Sequence, residues 1–304
     1  MIVAIALTLA STVAVNWAYL REHDAAAMLP PLSAKRPLES ARILVTYKRW
    51  LVGFAIEVIG FLCFVGALAL APLALVQSLA AGGIGLLAFF TARIAGVRLQ
   101  RREIVGVFIA VVGLVLLGIS LTGGSEEGSG GWWVAVAIWL VVSAAAAGLA
   151  VRFGGRALGQ AAAYGAAAGL LFEAGDVATE TVTAGGAGLV FLPAMLAAYG
   201  LGTTVLQLGF QRGGALATAG TATLFSDALP IVAGTTVYAE PFPGGSLGVV
   251  RGVAFAVLVV GAVMLSREET MMKPGCVRTA AQAAEARIAR EPAAASAAAP
   301  SPAG

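Results

Sequence analysis

From Val105 to Leu121 the chain reads through seventeen residues without a charged side chain. A helix needs about 20 mostly apolar residues to cross roughly 30 Å of hydrocarbon. With its flanks, this run is long enough. Eight further stretches match it, and together the nine cover about 2–20, 50–71, 73–92, 104–122, 132–151, 157–178, 188–208, 214–238 and 246–265. Inside lipid every backbone polar group must be satisfied by its own segment or by a closed barrel. Barrel strands are short and alternate in polarity, and these runs do neither. The expected fold is therefore an all-α polytopic membrane protein with nine transmembrane helices. Composition supports the same class: 59% of residues are hydrophobic and 12% charged, against roughly 25% charged in soluble domains. So little polar surface cannot clothe a water-soluble globule, which excludes an ordinary cytosolic enzyme, a nucleic-acid binder and a disordered chain. The two cysteines, Cys63 in an apolar run and Cys276 in a polar tail, cannot build a disulfide framework or a multi-cysteine metal site. Residues 1–20 have no basic leader and no small-residue cleavage site before Arg21, so they read as a retained first helix rather than a signal peptide.

The cations orient the spans. Arg21, Lys35, Arg36, Arg42, Lys48 and Arg49 lie between the first and second spans, and Arg93, Arg98, Arg101 and Arg102 between the third and fourth. Arg152 and Arg156 follow the fifth, Arg212 the seventh, and Arg267, Lys273, Arg278, Arg287 and Arg290 the ninth. Only Arg251, early in the ninth span, departs from this side, and it is expected to snorkel to the outer interface. The opposite loops hold Glu126, Glu127, Glu180 and Glu240 and no cation. Basic loops stay cytoplasmic, which sets the N-terminus outside and the C-terminus inside. The net charge of +3 is thus a mark of topology, with the cations beside anionic lipid head groups. Leu38–Arg49 alternates apolar and basic residues and reads either as a short interfacial helix or as a solvated loop. Residues 267–304, rich in Ala and Pro, read as a disordered cytoplasmic tail.

Spans one to four have a rhythm that spans six to nine repeat. The tight joint at residues 66–73 has its counterpart at residues 209–216. Five crossings separate span one from span six, an odd number, so the second half is upside down. The chain divides into a first membrane repeat (1–122, with the basic loop 21–49), a linker span (132–151) and a second, inverted four-helix repeat (157–266). Inverted repeats characterise secondary transporters, whose substrate binds near the midplane where the halves meet.

Arg49-Trp50-Leu51 leading into Gly60, Ala69-Leu70-Ala71-Pro72-Leu73-Ala74-Leu75-Val76-Gln77, and Gly96-Val97-Arg98-Leu99-Gln100-Arg101-Arg102-Glu103 before Gly106 and Gly113 resemble a half-repeat of the drug/metabolite transporter superfamily. Ala239-Glu240-Pro241 resembles a feature of its second half. The nine-span layout looks more like the NIPA-like magnesium transporter branch than the ten-span EamA-like exporters. Val97 and Phe61 stand where that resemblance leads one to expect Glu, a departure that bears on magnesium specificity.

Ionisable groups in the spans are functional candidates, because holding a charge in hydrocarbon is costly unless it is paired or hydrated. Asp227 sits mid-span in Leu224-Phe225-Ser226-Asp227-Ala228-Leu229-Pro230, where Pro230 leaves the Ser226 carbonyl without its usual donor. A carboxylate beside a loosened helix suits a cation or proton, unless Ser and Thr hydroxyls or Arg251 satisfy it. Glu173 and Asp176 are three apart, on one helix face, and suit proton or cation capture unless they merely look into external water. Glu57 is seven residues into span two; it faces either a cavity or a nearby basic loop. Gln77 and Gln207 line a pathway or bond helix to helix, and Asn16 occupies a related place in span one. The glycine pairs Gly155/Gly159, Gly165/Gly169 and Gly209/Gly213 have the spacing of close helix packing.

No phosphate loop, catalytic Ser/His/Asp set or metal-ligand cluster is present in the pattern, and no cofactor is expected. The expected function is secondary active transport of a small metabolite or cation across the cytoplasmic membrane, coupled to protons or cations. A magnesium or other divalent-cation transporter and a non-transporting membrane scaffold or accessory subunit are the alternatives. The expected partners are the substrate and membrane lipid, not nucleic acid, with a homodimer left open.

Overall fold

The computed structural model describes residues 2–33, 36–71, 76, 79–80, 82–94, 99–120, 133–183, 185–238 and 244–266. Every regular element among them is helical: α1 (Ile2–Met28), α2 (Pro37–Thr46), α3 (Lys48–Leu68), α4 (Gly83–Arg93), α5 (Arg101–Ser120), α6 (Trp133–Leu149), α7 (Gln160–Thr183), α8 (Leu192–Phe210), α9 (Ala215–Val237) and α10 (Gly245–Ser266). A π-helical turn, Ala150–Gly154, prolongs α6 until Gly159 breaks it at φ +80°. Gln77, Trp132 and the tail 267–304 lie outside the described residues.

Among the described residues, seven helices are long and apolar enough to cross a membrane. They include α1, α3, α5, α8, α9 and α10, and α6 with its prolongation. Their outward faces carry large apolar side chains such as Phe108, Val141 and Leu196, which lipid accepts and water does not. The chain is a polytopic helical membrane protein. Two expected spans fall outside that set for different reasons. The described part of the third, α4, is 11 residues long. The sixth, α7, has 24 residues, but Ala, Gly and three acids lower its hydropathy.

That small-residue composition suits where α7 sits. It packs against α6, α8 and α9, and Ala161, Ala162, Ala163, Ala166, Ala167 and Ala168 are all buried. A Cβ on Gly165 would meet the Thr218 carbonyl of α9, and one on Gly169 would come within 2.5 Å of the Ala222 carbonyl. The spacing Gly165/Gly169 therefore brings two backbones together, as expected of such a pair. Gly155/Gly159 does something else: it ends the π-helical prolongation of α6, and a Cβ on Gly155 would have ordinary contacts with Gln160.

Leu38–Arg49 resolves into the helical alternative over Pro37–Thr46. Its proline begins the helix, where a missing N–H costs nothing. Leu44 is buried in a cluster with Ala25, Leu32, Trp50, Tyr164 and Leu208, so α2 caps one end of the bundle.

Helices α5 and α10 pack along each other and are fastened at both ends by arginine. Arg251 of α10 donates to Ser120 Oγ (3.3 Å) and to the Ser120 carbonyl (3.4 Å) at the end of α5. Arg102 of α5 donates to the Val263 carbonyl near the end of α10 (3.1 Å). The last carbonyls of a helix lack intrahelical donors and carry partial negative charge, and a cation from the neighbouring helix supplies both needs. The expectation that Arg251 snorkels outward is corrected on this ground: it is 7% exposed because a helix terminus lies within its reach. Arg251→Leu should lower stability by about 1–3 kcal/mol through the carbonyl left unsatisfied. The half-exposed Arg102→Leu should cost less, and thermal unfolding of the purified protein checks both.

Candidate functional site

On α1 the side chains Thr8, Thr12 and Asn16 return hydrogen bonds to the carbonyls one turn earlier: Thr8 to Ala4, Thr12 to Thr8, and Asn16 Nδ2 to Thr12, each at 2.8 Å. The Asn16 amide is thereby fixed and its Oδ1 is left for another partner. A Cβ on Gly83 of α4 would stand 2.7 Å from Asn16 Nδ2, so Gly83 makes the room that this side chain occupies.

Asn16 opens onto a cavity of about 230 Å³ lined by α1, α3, α4 and α9. Its polar lining is Ser11, Thr12, Asn16 and Tyr19 from α1, Glu57 from α3, and Thr223, Ser226 and Asp227 from α9; Phe61 and Phe64 are apolar walls. Three of the residues singled out by sequence, Asn16, Glu57 and Asp227, thus meet around one space. Phe61, noted above as a departure from the family resemblance, is one wall of it. Asp227 takes neither alternative that would have satisfied it. Among the described residues no hydroxyl donates to it, since Ser226 Oγ turns to the Thr223 carbonyl (3.2 Å) and Arg251 serves Ser120. From α7 the like-charged Asp176 acts on it through its charge.

Glu173 and Asp176 diverge from one another. Glu173 is fully buried and accepts Trp139 Nε1 (2.5 Å) and Ser143 Oγ (3.3 Å), both from α6. Asp176 is exposed and accepts the Tyr199 hydroxyl of α8 (2.6 Å). Neither lines the cavity. With both oxygens engaged, Glu173 joins α6 to α7, and Trp139→Phe should cost about 1–3 kcal/mol of stability by stranding it. A melting curve of the purified variant checks the assignment.

Gln207 of α8 is fully buried and donates through Nε2 to Glu22 Oε2 of α1 at 2.5 Å. Glu22 falls within the basic loop expected at 21–49, in the charged run Arg21-Glu22-His23-Asp24. Helix α1 continues two turns past residue 20 because Arg21 and Asp24 face out while Glu22, Ala25 and Ala26 are buried. The spacing of Ala18, Glu22, Ala25 and Ala26, one helical face, was the signal available in the sequence. Beyond Glu22, Gln211 closes the helix: its Nε2 donates to the Ala26 (2.9 Å) and Pro30 (3.1 Å) carbonyls, and its Oε1 accepts the Leu32 N–H (2.9 Å).

Among the described residues no group of three or more His, Cys, Asp and Glu could hold a metal ion. No family model matches the chain, and no solved structure matches it. Over 130 residues the chain is 32% identical to the probable magnesium transporter NIPA9 of Arabidopsis thaliana, a stretch covering 41% of this chain and 36% of that protein. The chain therefore spans about a third of the length of the curated relative it matches. The similarity is thus to part of a transporter, and the membrane-length helices make this chain a polytopic membrane protein.

Proposed function

We propose that the chain is a secondary active transporter of the cytoplasmic membrane that carries a small metabolite or a cation by alternating access. It is built from two inverted halves, 1–122 and 157–266, joined by the linker span α6, with nine spans, N-terminus outside and C-terminus inside. The helix pairing supports this reading: α1 packs on α3 and α4, α7 packs on α8 and α9, and α5 and α10 pack on each other. The observation that carries the function is Asp227, a carboxylate without a hydrogen-bond or ion-pair partner among the described residues, opening with Glu57 and Asn16 on a cavity. A charged group in lipid is expensive unless its counter-charge comes from what it binds. Loading a cation or a proton into the cavity offsets the negative charge that Asp227 and Glu57 present there, and the ligand shifts the balance between inward- and outward-open states by its different affinity for each.

A magnesium carrier is the second reading, favoured by the similarity to NIPA9. Magnesium sheds water reluctantly and is often held through one or two carboxylates with its waters retained. Asp227, Glu57 and Asn16 around a space of about 230 Å³ fit a hydrated ion better than a stripped one. Reconstitution of the full chain into proteoliposomes separates the readings. Saturable magnesium flux above protein-free vesicles supports the second. Flux of small organic solutes without magnesium flux supports the first, and no flux of either kind returns the chain to a scaffold role.

A further inference from the structure

Glu22 and Glu57 come from different helices, α1 and α3, and their carboxyl groups lie within hydrogen-bonding reach of each other. The Tyr19 hydroxyl reaches Glu57 as well. Glu22 is fully buried, as is Gln207, and among the described residues the Glu22 Oε1 and Gln207 Oε1 atoms have no hydrogen-bond partner. Gly53 of α3 lets this happen, since a Cβ there would stand 2.8 Å from Glu22 Cγ. Gln207 supplies the only donor that Glu22 receives among the described residues, and it serves Oε2. Glu22 Oε1 is thus left without a donor, while the Glu57 carboxyl lies within reach of the same side chain. Two carboxyl oxygens at hydrogen-bonding reach repel unless a proton or a cation sits there.

The other groups around the pair offer no counter-charge. On α1, Tyr19 is neutral and His23 turns its Nε2 to the Gly213 carbonyl (3.1 Å). Lys48 and Arg49 of α3 and Arg93 of α4 are exposed at their helix ends. Helix α8 brings the amide of Gln207, and α9 brings the further acid Asp227, which acts on Tyr19 through its charge.

We propose that Glu22 and Glu57 hold one proton between them, with Gln207 fixing Glu22 from α8, and that this shared proton is the coupling ion of the transporter. The coupling role rests on the transport reading above; the shared proton does not. Glu57 lines the cavity while Glu22 does not, so the pair has one wet end. On release the O–H bond breaks and the proton passes through Glu57 to a cavity water, giving hydronium and two carboxylates. The repulsion then separates α1 from α3 unless a cation enters the cavity, which ties proton release to loading. Reprotonation from water reverses the step. Glu22, not the more accessible Asp227, is the residue that turns the proton into movement, because it alone of the pair is bonded to the other half of the molecule.

The test is difference infrared spectroscopy of the full chain in phosphatidylcholine–phosphatidylglycerol vesicles, titrated in choline chloride buffer. Wild type should show one protonated-carboxyl band that titrates away as pH rises. Glu22→Gln and Glu57→Gln should each remove that band, and the double variant should remove no more, since there is one proton to lose. Asp227→Asn should keep the band while losing flux, which separates failure of this site from failure of the transport reading. Additive losses from the two single variants would overturn the proposal, as would a wild type without the band. A carboxylate band that moves on adding sodium or magnesium chloride at fixed pH would overturn it in favour of a metal cation. If Glu22→Gln fails to give monodisperse protein, Glu57→Gln decides, because its half-buried side chain at the cavity wall tolerates an amide.

Discussion

Replacing Asp227 by Asn should cut transport at least about tenfold while leaving the protein as stable as before, or more so. Asn keeps the shape of the side chain and deletes its charge. Because no donor or cation in the described structure satisfies that charge, its loss strands no partner. Breaking a buried pair is destabilising, whereas removing an unpaired charge from a low-dielectric place is not. The tenfold loss corresponds to about 1.4 kcal/mol of binding, which is modest for a direct charge contact with a cation. The contrasting variant is Glu173→Gln, expected to keep flux within about twofold, since that carboxylate serves Trp139 and Ser143 rather than the cavity. Proteoliposome flux with magnesium and with organic solutes, read beside a thermal melt, checks both. Asp227→Asn with wild-type flux would remove the observation on which the proposed function stands.

The helices were legible because hydropathy over about 20 residues is what lipid selects for, and α3, α5, α9 and α10 begin or end within a few residues of the expected spans. What hydropathy reads poorly is a helix that faces protein rather than lipid. Helix α7 falls in the sixth expected span, 157–178, but its alanines and glycines serve the close packing of α6, α8 and α9 against it rather than contact with lipid. The same limit hid Glu22. A charge-dense run looks like a loop when residues are scored in a row, yet around the helix its charges divide between an outer and an inner face. Of the expected site, Asn16, Glu57 and Asp227 do converge. Glu173 and Asp176 share a helix face but not a destination, because side-chain partners on α6 and α8 draw them apart. Arg251 went astray for a related reason: the terminus of α5 that receives it is 131 residues away in the chain, and nothing in its own span announces it.

Gly165→Ala should be among the most damaging single substitutions in the molecule. Alanine is the better helix former by about 1 kcal/mol, so local propensity alone says that the change stabilises. Packing says otherwise, for the new methyl would meet the backbone carbonyl of Thr218, and a carbonyl fixed in a helix cannot swing aside as a side-chain end can. Helices α7 and α9 must then separate. At neighbouring Gly169 a Cβ would likewise stand 2.5 Å from the Ala222 carbonyl, so the two backbones are close over a full turn and a small tilt cannot relieve the strain. Ordinary overpacking costs about 1–3 kcal/mol, and a backbone displaced along a whole helix contact should reach or pass the top of that range, outweighing the propensity gain. Because α9 also carries Asp227, the displacement should reach the cavity and lower flux in whatever fraction still folds. Gly148→Ala is the control: a Cβ there meets nothing within 4 Å, so only propensity acts and the melting temperature should hold or rise. Equal melting temperatures for the two variants would mean that the α7–α9 contact yields more readily than its geometry implies.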